Sequence, residues 1–452
     1  MNQYSLKDNS KSVKINLNLK TLVTAFLVFA FTIISVGGVS AFPSKLRMPL
    51  IMAITVVTVA VIVLKNKKVL LTTPVVLMLI TAIYIAISLT YTIDTAATLK
   101  LTKVYVCASL LLLADYPESL FEKTIKAIEI VCIVIAVSII MSSFIENLMI
   151  DYFWFIVNPA RHPEVNQMMI QEIKWSGSYS GFAREKGEAA FIMNMGIAVY
   201  LAKYFSREKF RKSDMFFLLI LFWALILTSK RMLFLTPIIT MSILLLISKK
   251  KGRFVKIIPI VLIALCGIVV VGSIVPQFSH LFERFADKDS MTSLTGRLDL
   301  WPFCFEMFRK EPLFGMGIGS FNQYLFEHNV IVQGEVWKHF GHNVYYEFLG
   351  ELGLIGTVLM FGGLLAFYGR SVALMRSGET TNNQKFLLTF SVAVQTICLV
   401  YCASGNVLLY PQEIFPWFIG LAITTTVYNN IKREKGTVRK MKYTEAYNVA
   451  SV

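Results

Sequence analysis

Four side chains in this sequence suit transfer chemistry on an anionic substrate: His342, Arg231, Arg297 and Arg184. His342 lies in Gly341-His342-Asn343, directly ahead of an apolar helical run. Asn is a good helix N-cap, so the histidine is expected at a helix N-terminus. The helix dipole there disfavours the imidazolium and attracts anions. A neutral imidazole beside a bound anion can take a proton from a hydroxyl. The plainer alternative is a loop histidine that caps the helix or meets headgroups. Arg297 opens a run in which Trp301, Phe305 and Phe308 follow on one helical face. That pattern suits a helix lying in the membrane interface. Its guanidinium either grips a phosphate bidentately or snorkels to lipid phosphate.

Arg231 and Lys230 share the short turn Ser229-Lys230-Arg231 between two apolar blocks. They serve either an anionic partner or simple membrane anchoring. Arg184 stands in SGSYSGFAREKGEAAF, where Ser and Gly allow close backbone approach to a ligand; the alternative is ordinary loop. Glu347 and Glu351 are four residues apart. Glu351 is expected to orient His342 or an arginine, and Glu347 to be solvated. Pro312 with Gly315, Gly317 and Gly319 marks tight turns. No strand precedes that run, and its spacing fails the dinucleotide fingerprint. The six cysteines and the His, Asp and Glu residues show no metal-ligand or disulfide-framework spacing, so no metal and no cofactor is expected.

These residues are set in an apolar chain. Hydrophobic residues make up 56% and charged residues 16% of the 452, against about 45–50% and about 25% in soluble domains. The expected fold class is an all-α polytopic membrane protein. With about 20 apolar residues needed per span, twelve candidates emerge, near 21–41, 48–64, 69–91, 101–114, 127–148, 188–203, 213–228, 232–248, 256–275, 344–368, 386–404 and 412–429. The first apolar block is too long for a signal-peptide core and is read as a retained span. The net charge of +16 is read through the enrichment of Lys and Arg in cytoplasmic loops. No basic residues gather in one polar domain, which argues against a nucleic-acid partner.

Placing both termini inside assigns most Lys and Arg residues to inner segments. The expected organisation is a cytoplasmic tail 1–20, nine spans over 21–275 with an outer loop at 149–187, a large extracytoplasmic loop 276–343 before the tenth helix, three spans over 344–429, and a second cytoplasmic tail 430–452. This alternation puts Arg184, Lys230, Arg231, Arg297 and His342 on one outer face. Several arginines and one histidine there suit a phosphate-bearing, membrane-resident substrate and a hydroxyl acceptor.

The motifs also resemble a family. Gly296-Arg297 with Trp301, Pro312-Leu313-Phe314-Gly315-x-Gly317-x-Gly319-x-Phe321, His342-Asn343 and Glu351-Leu352-Gly353-x-x-Gly356 are similar to the signature of the O-antigen ligase/Wzy polymerase superfamily. Ser229-Lys230-Arg231 is similar to its Ser-Arg turn, here with Lys inserted, and Gly181–Ala189 resembles its upstream outer loop. The resemblance implies a metal-independent, inverting glycosyltransferase of the bacterial cytoplasmic membrane. Its donor would be a polyprenyl (undecaprenyl) diphosphate-linked glycan and its acceptor a sugar hydroxyl, on the extracytoplasmic side. His342 would activate that hydroxyl; Arg231, Arg297 and Arg184 would hold the diphosphate. Trp301, Asn343, Glu351 and Lys230 would support them. Membrane lipids, a flippase and a chain-length regulator are the implied partners.

A repeat-unit polymerase is the preferred expectation, since no specific ligase acceptor can be identified. A ligase is the alternative. A transporter of the same lipid-linked glycans is a second one, disfavoured because the spans are nearly uncharged and show no internal repeat.

Overall fold

The computed structural model describes residues 44–145, 147–153, 170, 173, 177–206, 210–248, 297–332, 335–336 and 340–450. The candidate spans at 21–41 and 256–275 lie outside the described residues. The described chain is helical apart from one two-residue antiparallel pair, Ile331–Val332 with Glu335–Val336.

Four helices come first: α1 (Ser44–Asn66), α2 (Thr73–Ile87), α3 (Thr95–Leu110) and α4 (Glu118–Phe144). The short α5 (Leu148–Asp151) follows, then α6 (Lys186–Ser206), α7 (Lys212–Leu227) and α8 (Arg231–Ile247). After the region at 249–296 come α9 (Arg297–Lys310), α10 (Phe321–Glu327), α11 (Val344–Arg376), α12 (Asn382–Cys402) and α13 (Pro411–Ala450). Seven of the described helices, counting the 3-10 turns that extend α2 and α3, are long and apolar enough to cross a membrane. The chain is therefore a multi-pass membrane protein. The expected spans at 213–228 and 412–429 fall on α7 and α13, which are helical but not among those seven, and α8 is a shorter apolar helix.

Helices α6 and α12 form the centre. The most apolar stretch of α6 is 89% buried and that of α12 72%, against 33% for α1. α6 packs on α4, α7, α8 and α12, while α12 packs on α11, α13, α6 and α8. Peripheral helices expose Val, Ile and Leu, among them Val56, Leu64, Ile83 and Leu365. Helices apolar on every side are stable only in a core or in lipid.

Local chemistry accounts for the helix starts and breaks. Asp94 caps α3 by accepting from Ala97 N at 2.9 Å, and Thr381 with Gln384 forms a capping box on α12. Pro237 inside α8 cannot donate to the carbonyl of Leu233. That carbonyl instead accepts from Asn194 Nδ2 of α6 at 2.9 Å and from Thr236 Oγ1 at 2.7 Å. This ties α8 to α6 at the depth where a bare carbonyl would be costly.

The most consequential break is at Gly353. EFLGELGLIG reads as continuous helix, yet Gly353 has φ 63° and ψ −171°, dividing α11 in two. The freed backbone pairs with the glycine-rich loop. Met316 N donates to Gly350 O (3.1 Å), Gly317 N to Glu351 O (2.8 Å) and Leu354 N to Pro312 O (2.9 Å). A Cβ on Gly315 would stand 2.4 Å from Gly353 N. The glycines thus permit backbone-to-backbone contact. Through this latch α9 and α10 dock on the first segment of α11 and bury Leu300, Cys304, Met307, Phe321 and Tyr324.

Polar loops gather at the two ends of the bundle. One end collects 177–185, 228–230, 312–317, 340–343 and 403–410. The other collects Lys68, Asp115 and Asn429, joined by Lys68 Nζ to Asn429 Oδ1 (2.7 Å) and Asn429 Nδ2 to Asp115 Oδ2 (2.8 Å). It also holds Glu118, which accepts from Gln384 Nε2 at 2.9 Å and Asn430 Nδ2 at 2.7 Å.

Candidate active site

His342 sits in a turn held from four sides. Its backbone is left-handed, φ 56°, which costs a non-glycine residue about 1–3 kcal/mol and persists only where surroundings fix it. Asn343 Oδ1 accepts from Tyr346 N at 3.2 Å and caps α11 as the sequence predicts. Gly341 N donates to Glu347 Oε1 at 2.6 Å. Trp301 Nε1 donates to Gly341 O at 3.2 Å. Asn406, from the turn between α12 and α13, places its amide nitrogen 3.2 Å from His342 Nδ1.

Two expectations change here. Glu347 is fully buried instead of solvated, and it is the carboxylate that holds the histidine turn. Glu351, also fully buried, accepts from Phe321 N at 3.0 Å and so fixes the start of α10 and the glycine loop. The two glutamates are equivalent on a helical wheel. The turn lies over the first and α10 over the second, so packing assigns the roles.

The face that α9 turns inward lies beside the Trp301–Phe305 face. Leu300, Cys304 and Met307 are buried at i, i+4 and i+7, whereas Phe305 is 37% exposed. Trp301 and Phe305 lie across Tyr346, with ring centroids at 5.2 and 5.0 Å. Burial raises the Cys304 thiol above its ordinary range, so it is neutral and packs as an apolar group. Arg297 is the first residue of α9, one turn ahead of Trp301, which is about 6 Å along the axis. The Arg297 side chain lies outside what is described.

The second half of the site forms around the start of α6. Tyr179 N donates to Leu227 O at 2.9 Å, which brings the Arg184 loop to the Lys230 turn. Arg184 Nη2 lies 3.3 Å from Glu188 Oε1 and 3.7 Å from Glu185 Oε1, with its side chain 47% exposed. Lys230 Nζ lies 3.6 Å from the point where a Cβ on Gly187 would stand. Arg231 follows as the first residue of α8 and is half-buried.

The turn after α12 and the first turn of α13 join the two halves. Gln412 Nε2 donates to Glu188 Oε1 at 2.8 Å. Tyr410 meets Phe340 edge-on at 5.5 Å. Burial, with the carboxylates of Glu185 and Glu413, pushes the Tyr410 phenol up to about 12, so it stays neutral.

The structure thus brings Arg184, Lys230, Arg231, His342, Asn343 and Trp301 to one end of the bundle, and places the start of α9 there too. Asn406, Gln412, Glu188 and Tyr410 are additions that sequence reasoning missed. For Asn406, Gln412 and Tyr410 the only signal was a polar interruption, SGNVLLYPQE, between two apolar blocks, whereas Glu188 stands in the SGSYSGFAREKGEAAF stretch. Among the described residues, no group of three or more His, Cys, Asp or Glu is placed to hold a metal ion.

An apolar helical bundle with cationic and histidine-bearing loops gathered at one end defines a multi-pass membrane protein with a candidate site there. Residues 216–361 match the family model described as O-antigen ligase, which supports the resemblance to the O-antigen ligase/Wzy superfamily. The match covers about a third of the chain. It spans Arg231, Arg297 and His342, while Arg184 and Asn406 lie outside it. No curated protein matches the chain.

Proposed function

We propose that this protein is a membrane glycosyltransferase. It moves glycan from a polyprenyl diphosphate carrier to a sugar hydroxyl on the outer face of the bacterial cytoplasmic membrane, most simply as a repeat-unit polymerase. The observation that carries this reading is the His342 turn, clamped in a strained backbone conformation at the same end as Arg184, Lys230 and Arg231.

In the proposed reaction the acceptor hydroxyl gives its proton to His342 as its oxygen bonds to the anomeric carbon. The bond from that carbon to the diphosphate breaks, and the electron pair leaves with the diphosphate. Arg231, Arg297 and Arg184 offset the developing charge. The leaving group is already activated, so positioning, charge neutralisation and one proton acceptor suffice, with no metal. Attack from the face opposite the leaving group gives inversion. Both termini are proposed to be cytoplasmic, which puts the His342 end outside. One observation favours a second reading, ligation of a finished glycan to a separate acceptor: the matched family model is described as O-antigen ligase.

Deleting the gene and resolving surface glycan on a gel separates these readings. Single repeats left unextended identify a polymerase, and full-length chains retained on the carrier identify a ligase. Unchanged glycan would remove both. His342→Ala is expected to lower product by about 10²- to 10⁴-fold, the usual contribution of a general base, with membrane insertion intact. Gly334→Cys should react with an impermeant thiol reagent in intact cells; labelling only after lysis would reverse the topology.

A further inference from the structure

The ring of His342 has two nitrogens, and only one can face an acceptor hydroxyl. We propose that Asn406 is the positioning residue that decides which, by holding Nδ1 as the protonated nitrogen so that Nε2 carries the lone pair. The inference rests on the reading of His342 as the general base.

Asn406 is 7% exposed, and its side chain meets the ring at Nδ1, 3.2 Å away. Its Oδ1 is buried with no hydrogen-bond partner among the described residues. The two ends of an amide have nearly the same shape, and their assignment follows from the hydrogen bonds around them. With Nδ2 toward the ring, Nδ1 accepts, the neutral imidazole carries its proton on Nε2, and that nitrogen can only donate. With Oδ1 toward the ring, Nδ1–H donates to it and Nε2 keeps its lone pair, while Nδ2 takes the buried place that Oδ1 leaves. Only the second arrangement makes a base of the nitrogen turned away from Asn406.

The scaffold behind Asn406 is firm. Its own carbonyl accepts from Leu409 N at 2.8 Å, and Tyr105 Oη donates to Leu408 O at 2.6 Å. Val407, Leu408 and Leu409 are buried. The residue is therefore set by packed neighbours, as a group that orients a catalytic ring must be. An amide also differs from a carboxylate in its effect. It fixes the tautomer without a negative charge that would stabilise the imidazolium.

The test uses the full-length protein in membranes with a lipid-linked glycan donor, assayed across pH. Asn406→Ala should lower kcat by roughly 10- to 100-fold, a part of the general-base contribution, with KM for the donor unchanged. Asn406→Asp should keep more activity than Ala and move the acid limb of the pH–rate profile upward by about one unit, because a carboxylate favours the protonated ring. Should Asn406→Ala misfold, the Asp profile decides alone. An unmoved acid limb in Asn406→Asp, with His342→Ala still inactive, overturns the role of Asn406 and leaves the base assignment standing. Full activity in His342→Ala overturns the base assignment and the role of Asn406 with it.

Discussion

The two ends of α6 each carry a buried cluster of carboxylates and cations, and they are built differently. At the Ser206 end, Glu129 Oε1 accepts from Lys203 Nζ at 2.7 Å and Tyr200 Oη at 2.8 Å, and Oε2 from Lys126 at 3.2 Å. Lys203 also reaches Asp214 at 3.3 Å and lies over the Tyr200 ring, with its side chain only 8% exposed. Both carboxylate oxygens and the ammonium are matched. At the Lys186 end, Arg184 stays 47% exposed beside Glu188, and Glu413, buried to 4%, has an Oε2 with no partner among the described residues. A matched buried network holds helices together, because its charges are already paired with one another. A half-open one with an accessible guanidinium keeps capacity for an anion. The same helix thus serves as a bolt at one end and as a wall of the candidate site at the other.

Substitutions can break or sharpen that contrast. The largest effect is expected at the Ser206 end. Lys203→Met strands Glu129 and Asp214 in a low-dielectric interior and should cost about 3–5 kcal/mol of stability, read as loss of folded protein in a detergent thermal melt. A melt like the wild type's would mean the cluster is not the bolt. Next comes Arg184→Ala at the open end, expected to lower glycan product about tenfold while stability moves by no more than about 0.5 kcal/mol, as for exposed substitutions. If it unfolds the protein as Lys203→Met does, the two ends are alike and the contrast fails.

Trp301→Phe keeps the ring against Tyr346 and deletes only the bond to Gly341 O. A loss of about 1 kcal/mol is expected, seen as a severalfold drop in product with little change in the melt. The smallest effect belongs to Glu413→Gln. Removing a buried carboxylate with an unpaired oxygen should leave stability level or slightly raised. A marked fall would show that this carboxylate is matched after all.

Helix existence was legible because a span needs an uninterrupted apolar block, and a block of that length has few other stable forms. The alternation of those blocks also sorted the loops. Arg184, Lys230, Arg231 and His342, far apart in sequence, were expected at one end and are found there. Asn343 was legible as a cap, because capping is decided within one turn of chain.

What the sequence could not carry was any choice between residues that local pattern makes equal. Glu347 and Glu351 share one helical face. Only the position of the His342 turn over one and of α10 over the other separates their tasks. Gly353 looked like one more helical glycine until the 312–317 loop supplied a second backbone to pair with. Asn406 sat in a short polar break and acquired meaning through a histidine 64 residues away in the chain. Apolar length and local capping fixed which segments are helices and which residue types face each end. Hydrogen-bond partners set by packing between distant segments decided which of those residues hold His342.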